Sequence, residues 1–281
     1  MLTTYPKPFG DYLKSRAVSS KKHSLLSLLR KYRSTMGNLP GDVSQRALFM
    51  RIISLSRYID KRTKTWRRDL GGRVTPFSTF RGYFIEEVAI TLAYMAIKAS
   101  GRSSVRPLVT KLSTGGGIVT GIALAFSRGK IRSETNIVLR RDREDVVVGF
   151  PTVLSIKGDG NTFAEFSDEI VPACILACKM YIDATRLENV MAKVKNFYAV
   201  YSSARFYVVS EWNALGADWL DAQGRVLDSL FAPVTDIIFL RGDNARRPHN
   251  ENLEEASIDQ PYQTAQLKRI YKEVQRAISE W

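Results

Sequence analysis

An aspartate opens one apolar run of this chain and a lysine closes another: Asp145 begins DVVVG and Lys179 ends ACILACK. A carboxylate at one strand end, set beside an acid-x-Lys on the next strand, suits phosphodiester hydrolysis. That reaction needs a water activated near neutral pH and relief of the charge that gathers in a phosphorane-like transition state. One or two divalent cations held by carboxylates supply both, and a nearby lysine polarises the water. Residues two apart in a strand share a face, so positions 177 and 179 project together. The backbone carbonyl of Cys178, between them, is a further candidate oxygen ligand. At position 177, where this chemistry calls for an acid, the chain has Ala177.

The longer segment ILACKMYIDATRLENVMAKVK, followed by ARFYVVSEW, resembles the PD-(D/E)xK nucleases. Within them it is most similar to BbvCI-like type II restriction enzymes, which are built from two related but different subunits. Their pattern reads acid-Cys-Lys-x-Tyr-x-Asp, then Thr-x-Leu-Glu. Cys178, Lys179, Tyr181, Asp183, Thr185, Leu187 and Glu188 match it, and Asp145 in EDVVVG matches the first aspartate. The resemblance covers about residues 80–242. It implies Mg²⁺ as cofactor, with Asp145 and residue 177 holding metal and Lys179 positioning or activating water. It also implies double-strand DNA cleavage at a short specific site. One strand would be cut by this subunit and the other by a related partner, or by a second copy. A companion methyltransferase would protect host DNA.

Ala177 is the departure from the pattern, because a methyl group cannot hold a cation. Either a neighbouring acid substitutes (Glu165, Asp168 or Glu169), or this chain is a disabled form. The second is favoured, since the flanking positions match while the chemically necessary one is truncated. The plain alternative makes Ala177 a buried strand residue and Lys179 a cap on the sheet edge. A rival register is Ser155-Ile156-Lys157, which has no acid and precedes a GDGN turn. Ser113–Gly117 could cradle a phosphate, yet it lacks the Lys-Ser/Thr of a P-loop and reads better as a turn. Nucleases of this class often place a helical glutamate beside the metals. Glu86 and Glu87 are the candidates, and the sequence does not choose between them.

The elements that must position these groups follow from periodicity. Residues 20–34 carry a leucine stripe (Leu25, Leu26, Leu28, Leu29) with basic flanks. MGNLPG breaks the chain, and Asp42 is placed to cap a second helix running through Arg62. Residues 82–100 read as a long helix with Phe84, Val88, Leu92 and Met95 inward. Strands are expected at 117–126, 136–141, 145–150, 173–179, 204–212 and 235–242. A helix is expected from Thr185 to Tyr201, with Leu187, Val190, Met191, Val194 and Tyr198 inward, and another from Thr264 to Trp281. A mixed central sheet flanked by helices is the natural packing. The expected organisation is a basic helical region at 1–80, a nuclease core at 81–245, and a linker with a helix at 246–281.

Charge supplies the remaining argument. Of the net +14, about +13 lies in the first 80 residues, which hold 17 Lys/Arg and four acids. Such a block can neutralise phosphates and gain affinity by releasing counterions. Within it, KRTKTWRRDLGGR (61–73) sets Trp66 among six basic residues. Lys61, Arg62, Lys64, Arg67 and Arg68 are the candidate DNA contacts, on a loop. The two early helices fit a helix-turn-helix or a plain helical subdomain equally well. Two histidines and two cysteines spaced four apart do not make a zinc or redox motif, which suits a reduced cytoplasm. No apolar run is long enough to span a membrane, and no export signal is expected. Two other readings stay open. One is a non-catalytic DNA-binding regulator, which would show no metal dependence. The other is a structure-selective RNA or repair nuclease.

Overall fold

The computed structural model describes residues 7–20, 23–37, 43–70, 74–102, 105–108, 118–125, 136–142, 145–158, 161–219, 234–248 and 252–281. Its centre is a mixed sheet flanked by helices. The sheet comprises β1 (Arg106–Leu108), β4 (Val146–Gly158), β5 (Asn161–Ile182), β6 (Arg205–Asn213) and β7 (Asp236–Phe239), in the order β1-β4-β5-β6-β7. β1, β4 and β5 pair antiparallel, whereas β5, β6 and β7 run parallel. The parallel half needs a crossover, and α6 (Ala184–Tyr198) supplies it between β5 and β6. β2 (Ile118–Ala125) and β3 (Asn136–Asp142) form a separate two-stranded hairpin, although both were expected to belong to the central sheet.

Two helical layers cover the sheet. α6 begins where the Asp183 side chain accepts the Arg186 N–H at 2.8 Å, an N-cap that satisfies one of the first-turn donors. It buries Leu187, Val190, Val194 and Phe197, each stabilising the layer by roughly 1.5–3 kcal/mol. Met191 and Tyr198 pack at its edge, half-buried. On the opposite face lie α5 (Val74–Ser100) and α8 (Thr264–Ser279). Every residue of α5 from Phe84 to Ala93 is buried, so it is an interior helix rather than one with a single apolar stripe. Its interior course explains why no clean periodicity bounds it.

The N-terminal region is helical, and the two helices that its apolar periodicity suggested are present. α1 (Pro8–Ser20) is an additional helix, α2 (His23–Tyr32) lies within the expected 20–34, and a π-helical turn, Arg33–Gly37, follows. α3 (Gln45–Asp60) is capped by Ser44, whose Oγ accepts the Ala47 N–H at 3.3 Å. Asp42, the expected cap, lies outside the described residues. The segment expected to be a basic loop contains α4 (Thr63–Asp69), because Trp66 is buried and its Nε1 donates to the Ile59 carbonyl at 2.9 Å. α7 (Leu253–Asp259) packs near α3 and α4. Side chains of α1 to α3 share one continuous core with α5, α8 and the sheet. The boundary expected at residue 80 falls inside α5. No described helix is long and apolar enough to cross a membrane.

One glycine is demanded by the sheet. A Cβ on Gly149 would lie 2.2 Å from the Val171 carbonyl oxygen, where β4 and β5 shift register. Close backbone approach at a bulge of this kind is open to glycine alone.

Candidate functional site

Asp145 sits one residue before β4. Because Val146 pairs with Leu176, Asp145 comes opposite Ala177 on β5. Its carboxylate Oδ2 accepts the Cys178 N–H at 2.7 Å and lies 3.0 Å from Lys179 Nζ. The aspartate is buried, while the Lys179 side chain keeps 32% of its surface exposed. A buried carboxylate is stable only when paired or hydrogen-bonded, and here both conditions are met. Ile175, Ala177 and Lys179 share the face that looks toward α6, together with Val147 of β4. Cys178 shares the opposite face with Leu176, toward α5. In an extended strand a residue's N–H and C=O point to the same side. The Cys178 carbonyl is therefore directed past the start of β4, toward Asp145.

A cleft of about 420 Å³ opens at the end of these strands. Ser78, Thr79, Gly82, Tyr83 and Glu86 of α5 form one wall, and Cys178 to Tyr181 with Arg186 form the other. This separates the two glutamates that the sequence left equivalent. Glu86 is buried in the α5 wall of the cleft that Lys179 also lines. Glu87 is taken up by α1 and α2: its Oε2 accepts the N–H groups of Phe9 at 2.9 Å and Gly10 at 3.3 Å, and its Oε1 accepts the Tyr32 hydroxyl. Burial pushes the Glu87 carboxyl up to about 7 despite those hydrogen bonds. Glu87 thus fixes the N-terminal helices, and it is removed from the candidate metal ligands.

The acids proposed to substitute for residue 177 are too far along β5. Glu165 pairs with Ser155 and Glu169 with Thr152, in the distal half of the β4–β5 hairpin. At about 3.3 Å per residue, Glu169 lies roughly 25 Å from Ala177 along the strand, with Asp168 and Glu165 farther still. Proximity in sequence became distance in space because β5 runs unbroken from Asn161 to Ile182. The rival Ser155–Lys157 register fails for the same reason, being roughly 33–40 Å along β4 from Asp145. Ser113–Gly117 lies outside the described residues.

The resulting donor set is small. Asp145 offers one carboxylate, already engaged by a lysine and a backbone N–H, and Ala177 offers none. Among the described residues no group of three or more His, Cys, Asp or Glu side chains could hold a metal ion. Mg²⁺ requires near-octahedral oxygen coordination and is usually anchored by one or two carboxylates plus substrate oxygens. The residues present do not fit that ion without a second acid at position 177.

Of the candidate DNA-contacting residues, Lys61, Arg62, Lys64 and Arg68 are exposed and Arg67 is half-buried. Arg62 donates to the Tyr58 hydroxyl at 2.8 Å and stacks on that ring at 4.7 Å. The Lys64 backbone N–H binds Glu254 Oε2 at 2.7 Å, which ties α4 to α7. Lys64, Arg67 and Arg68 lie within α4 and Lys61 and Arg62 just before it, so their spacing is set by a helix and not by a loop.

Sequence reasoning missed a buried ionic network beneath the site. Arg81 of α5 bridges Glu211 of β6 (Nε to Oε2, 3.0 Å) and Asp60 of α3 (3.0 Å). Arg241 meets Asp60 at 2.8 Å and the Ser257 carbonyl at 2.9 Å, and the Tyr262 hydroxyl donates to Glu211. All five side chains are buried. Charged residues inside apolar runs, such as Glu211 within VVSEWN, were the available signal.

No known protein family matches the chain, and no curated protein matches it. Among solved structures it is similar to one described as native BbvCI A2B2 tetramer at low resolution, with 14% sequence identity and a TM-score of 0.45, over 92% of this chain and 97% of that one.

Proposed function

We propose that this chain is one subunit of a type II restriction endonuclease, a DNA phosphodiesterase of the PD-(D/E)xK class, whose own cleavage centre is disabled at Ala177. The observation that carries this reading is the cross-strand placement of Asp145, position 177 and Lys179 at one strand end, beside a cleft that also holds Glu86. The block matching acid-Cys-Lys-x-Tyr-x-Asp supports it. Asp145 and an acid at 177 would share a divalent cation, Mg²⁺ by resemblance. The chain as it stands lacks the second carboxylate. Lys179 neutralises Asp145 and holds a cation where a scissile phosphate would approach. The chain would therefore bind duplex DNA and leave its assigned strand intact.

A duplex break needs two cuts, and the described residues offer one such centre. The DNA-bound form would be a dimer, with a related subunit or with a second copy, and sedimentation showing one chain per duplex at full affinity would contradict that. The nuclease assignment is tested by plasmid nicking with Ala177→Glu, which should gain a single-strand cleavage activity that the parent chain lacks.

A further inference from the structure

Tyr181 lies two residues beyond Lys179 on β5, at the mouth of the same cleft. The guanidinium carbons of Arg186 and Arg247 lie 3.9 Å and 3.8 Å from its ring centroid. An approach that close is possible only over a ring face, and two guanidiniums cannot occupy one face. Tyr181 is therefore stacked between two arginines. They reach it from different elements. Arg186 lies in the first turn of α6, where it also pairs with Asp183. Arg247 follows β7, and its N–H donates to the Asn213 carbonyl at 2.8 Å, at the end of β6. Arg246, beside it, is exposed. The carboxyl ends of two parallel strands thus carry a rim of Lys179, Arg186, Arg246 and Arg247. The crevice outside such strand ends is where open α/β sheets bind their ligands.

We infer that the Arg186–Tyr181–Arg247 stack is a phosphate-binding post, which holds the DNA backbone next to the phosphate lying over Lys179. This rests on the nuclease reading above and names the part of the cleft that grips the strand. Guanidiniums stacked on an aromatic face are fixed in orientation, so their N–H forks lose little freedom on binding phosphate. Asp183 already balances part of the Arg186 charge, and a polyanion laid across the stack adds attraction to two guanidiniums fixed in place. Phosphate contacts of this kind set register on the duplex without reading sequence.

The test measures binding of the full chain to a short random-sequence DNA duplex over a range of salt concentrations, with thermal melting to confirm folding. Changing Arg186→Gln and Arg247→Gln together should flatten the log-log salt slope by about 1 to 2 units. Changing both to lysine instead should keep the slope and weaken affinity several-fold, since lysine keeps charge but loses the stacked fork. Equal slopes and affinities for the parent chain and the glutamine variant would overturn the post while leaving DNA binding standing. Absence of duplex binding by the parent chain would overturn both.

Discussion

Lys179 Nζ lies 3.0 Å from Asp145 Oδ2, and the Cys178 N–H reaches that same oxygen at 2.7 Å. One carboxylate oxygen thus joins the start of β4 to the end of β5, and its neighbour across the ladder is Ala177. Asp145 consequently has a structural role whether or not a cation is present.

Removing that acceptor should cost stability. Asp145→Ala leaves the buried Cys178 N–H without its partner, a loss of about 1–3 kcal/mol. Asp145→Asn keeps an acceptor oxygen and should cost less. Urea unfolding should show a lower midpoint at unchanged m-value for both variants, in that order.

The network beneath the site should be more sensitive. Arg81→Ala removes one of the two arginines that balance Glu211 and Asp60, leaves Arg241 alone to face both carboxylates, and should destabilise the chain by about 3–5 kcal/mol. Arg81→Lys keeps a charge yet cannot fork between two acids, so it should recover only part of the loss. A double-mutant cycle with Glu211→Gln should be clearly non-additive, and additivity would mean that the two groups do not interact.

Glu87 predicts a pH dependence. Its carboxyl is raised from the ordinary 4.5 to about 7 by burial. Between those values the unfolded chain has released the proton and the folded chain still holds it. Folding then takes up a proton, so this group lowers stability as pH rises through that window, and below 4.5 the penalty is absent. Glu87→Gln keeps a group able to meet the Phe9 and Gly10 N–H donors and the Tyr32 hydroxyl. Over that range the variant should lose less stability than the parent chain, as read from denaturation midpoints. Parallel pH profiles would show that Glu87 ionises normally.

The α4 region should set much of the non-specific DNA affinity. Replacing Lys61, Arg62, Lys64, Arg67 and Arg68 together by alanine removes up to five phosphate contacts, so the log-log salt slope should change by up to about 4–5 units. An unchanged slope would move DNA contact away from this segment.

Much of this arrangement is legible in the residues. The alternation around Ala177 and Lys179 and the apolar spacing of α6 are local signals, and α6 lies within three residues of its expected bounds, whereas β5 starts twelve residues before its expected start. What the sequence hides is non-local. Glu165, Asp168 and Glu169 look close to Ala177 until β5 proves to be one long strand. Glu86 and Glu87 are adjacent and alike, yet one helical step leaves the first in the wall of the cleft and turns the second toward Tyr32. Trp66 among six cations reads as a loop because the burial that makes it helical comes from packing. Arg81, Glu211 and Asp60 come from three distant segments, and nothing local marks them as partners.

The central claim is that position 177 is the missing ligand of a cleavage centre. Supercoiled plasmid carrying the recognition site, incubated with Mg²⁺, gives the direct reading, because cutting one strand converts it to an open circle. The parent chain should bind the DNA and leave the plasmid supercoiled. Ala177→Glu, or the shorter Ala177→Asp if the larger acid disturbs the apolar layer against α6, should nick one strand. Adding Lys179→Ala to the active variant should abolish nicking again. A parent chain that nicks as fast as the acid-restored variants would contradict the account and remove Asp145, Ala177 and Lys179 as its cleavage centre.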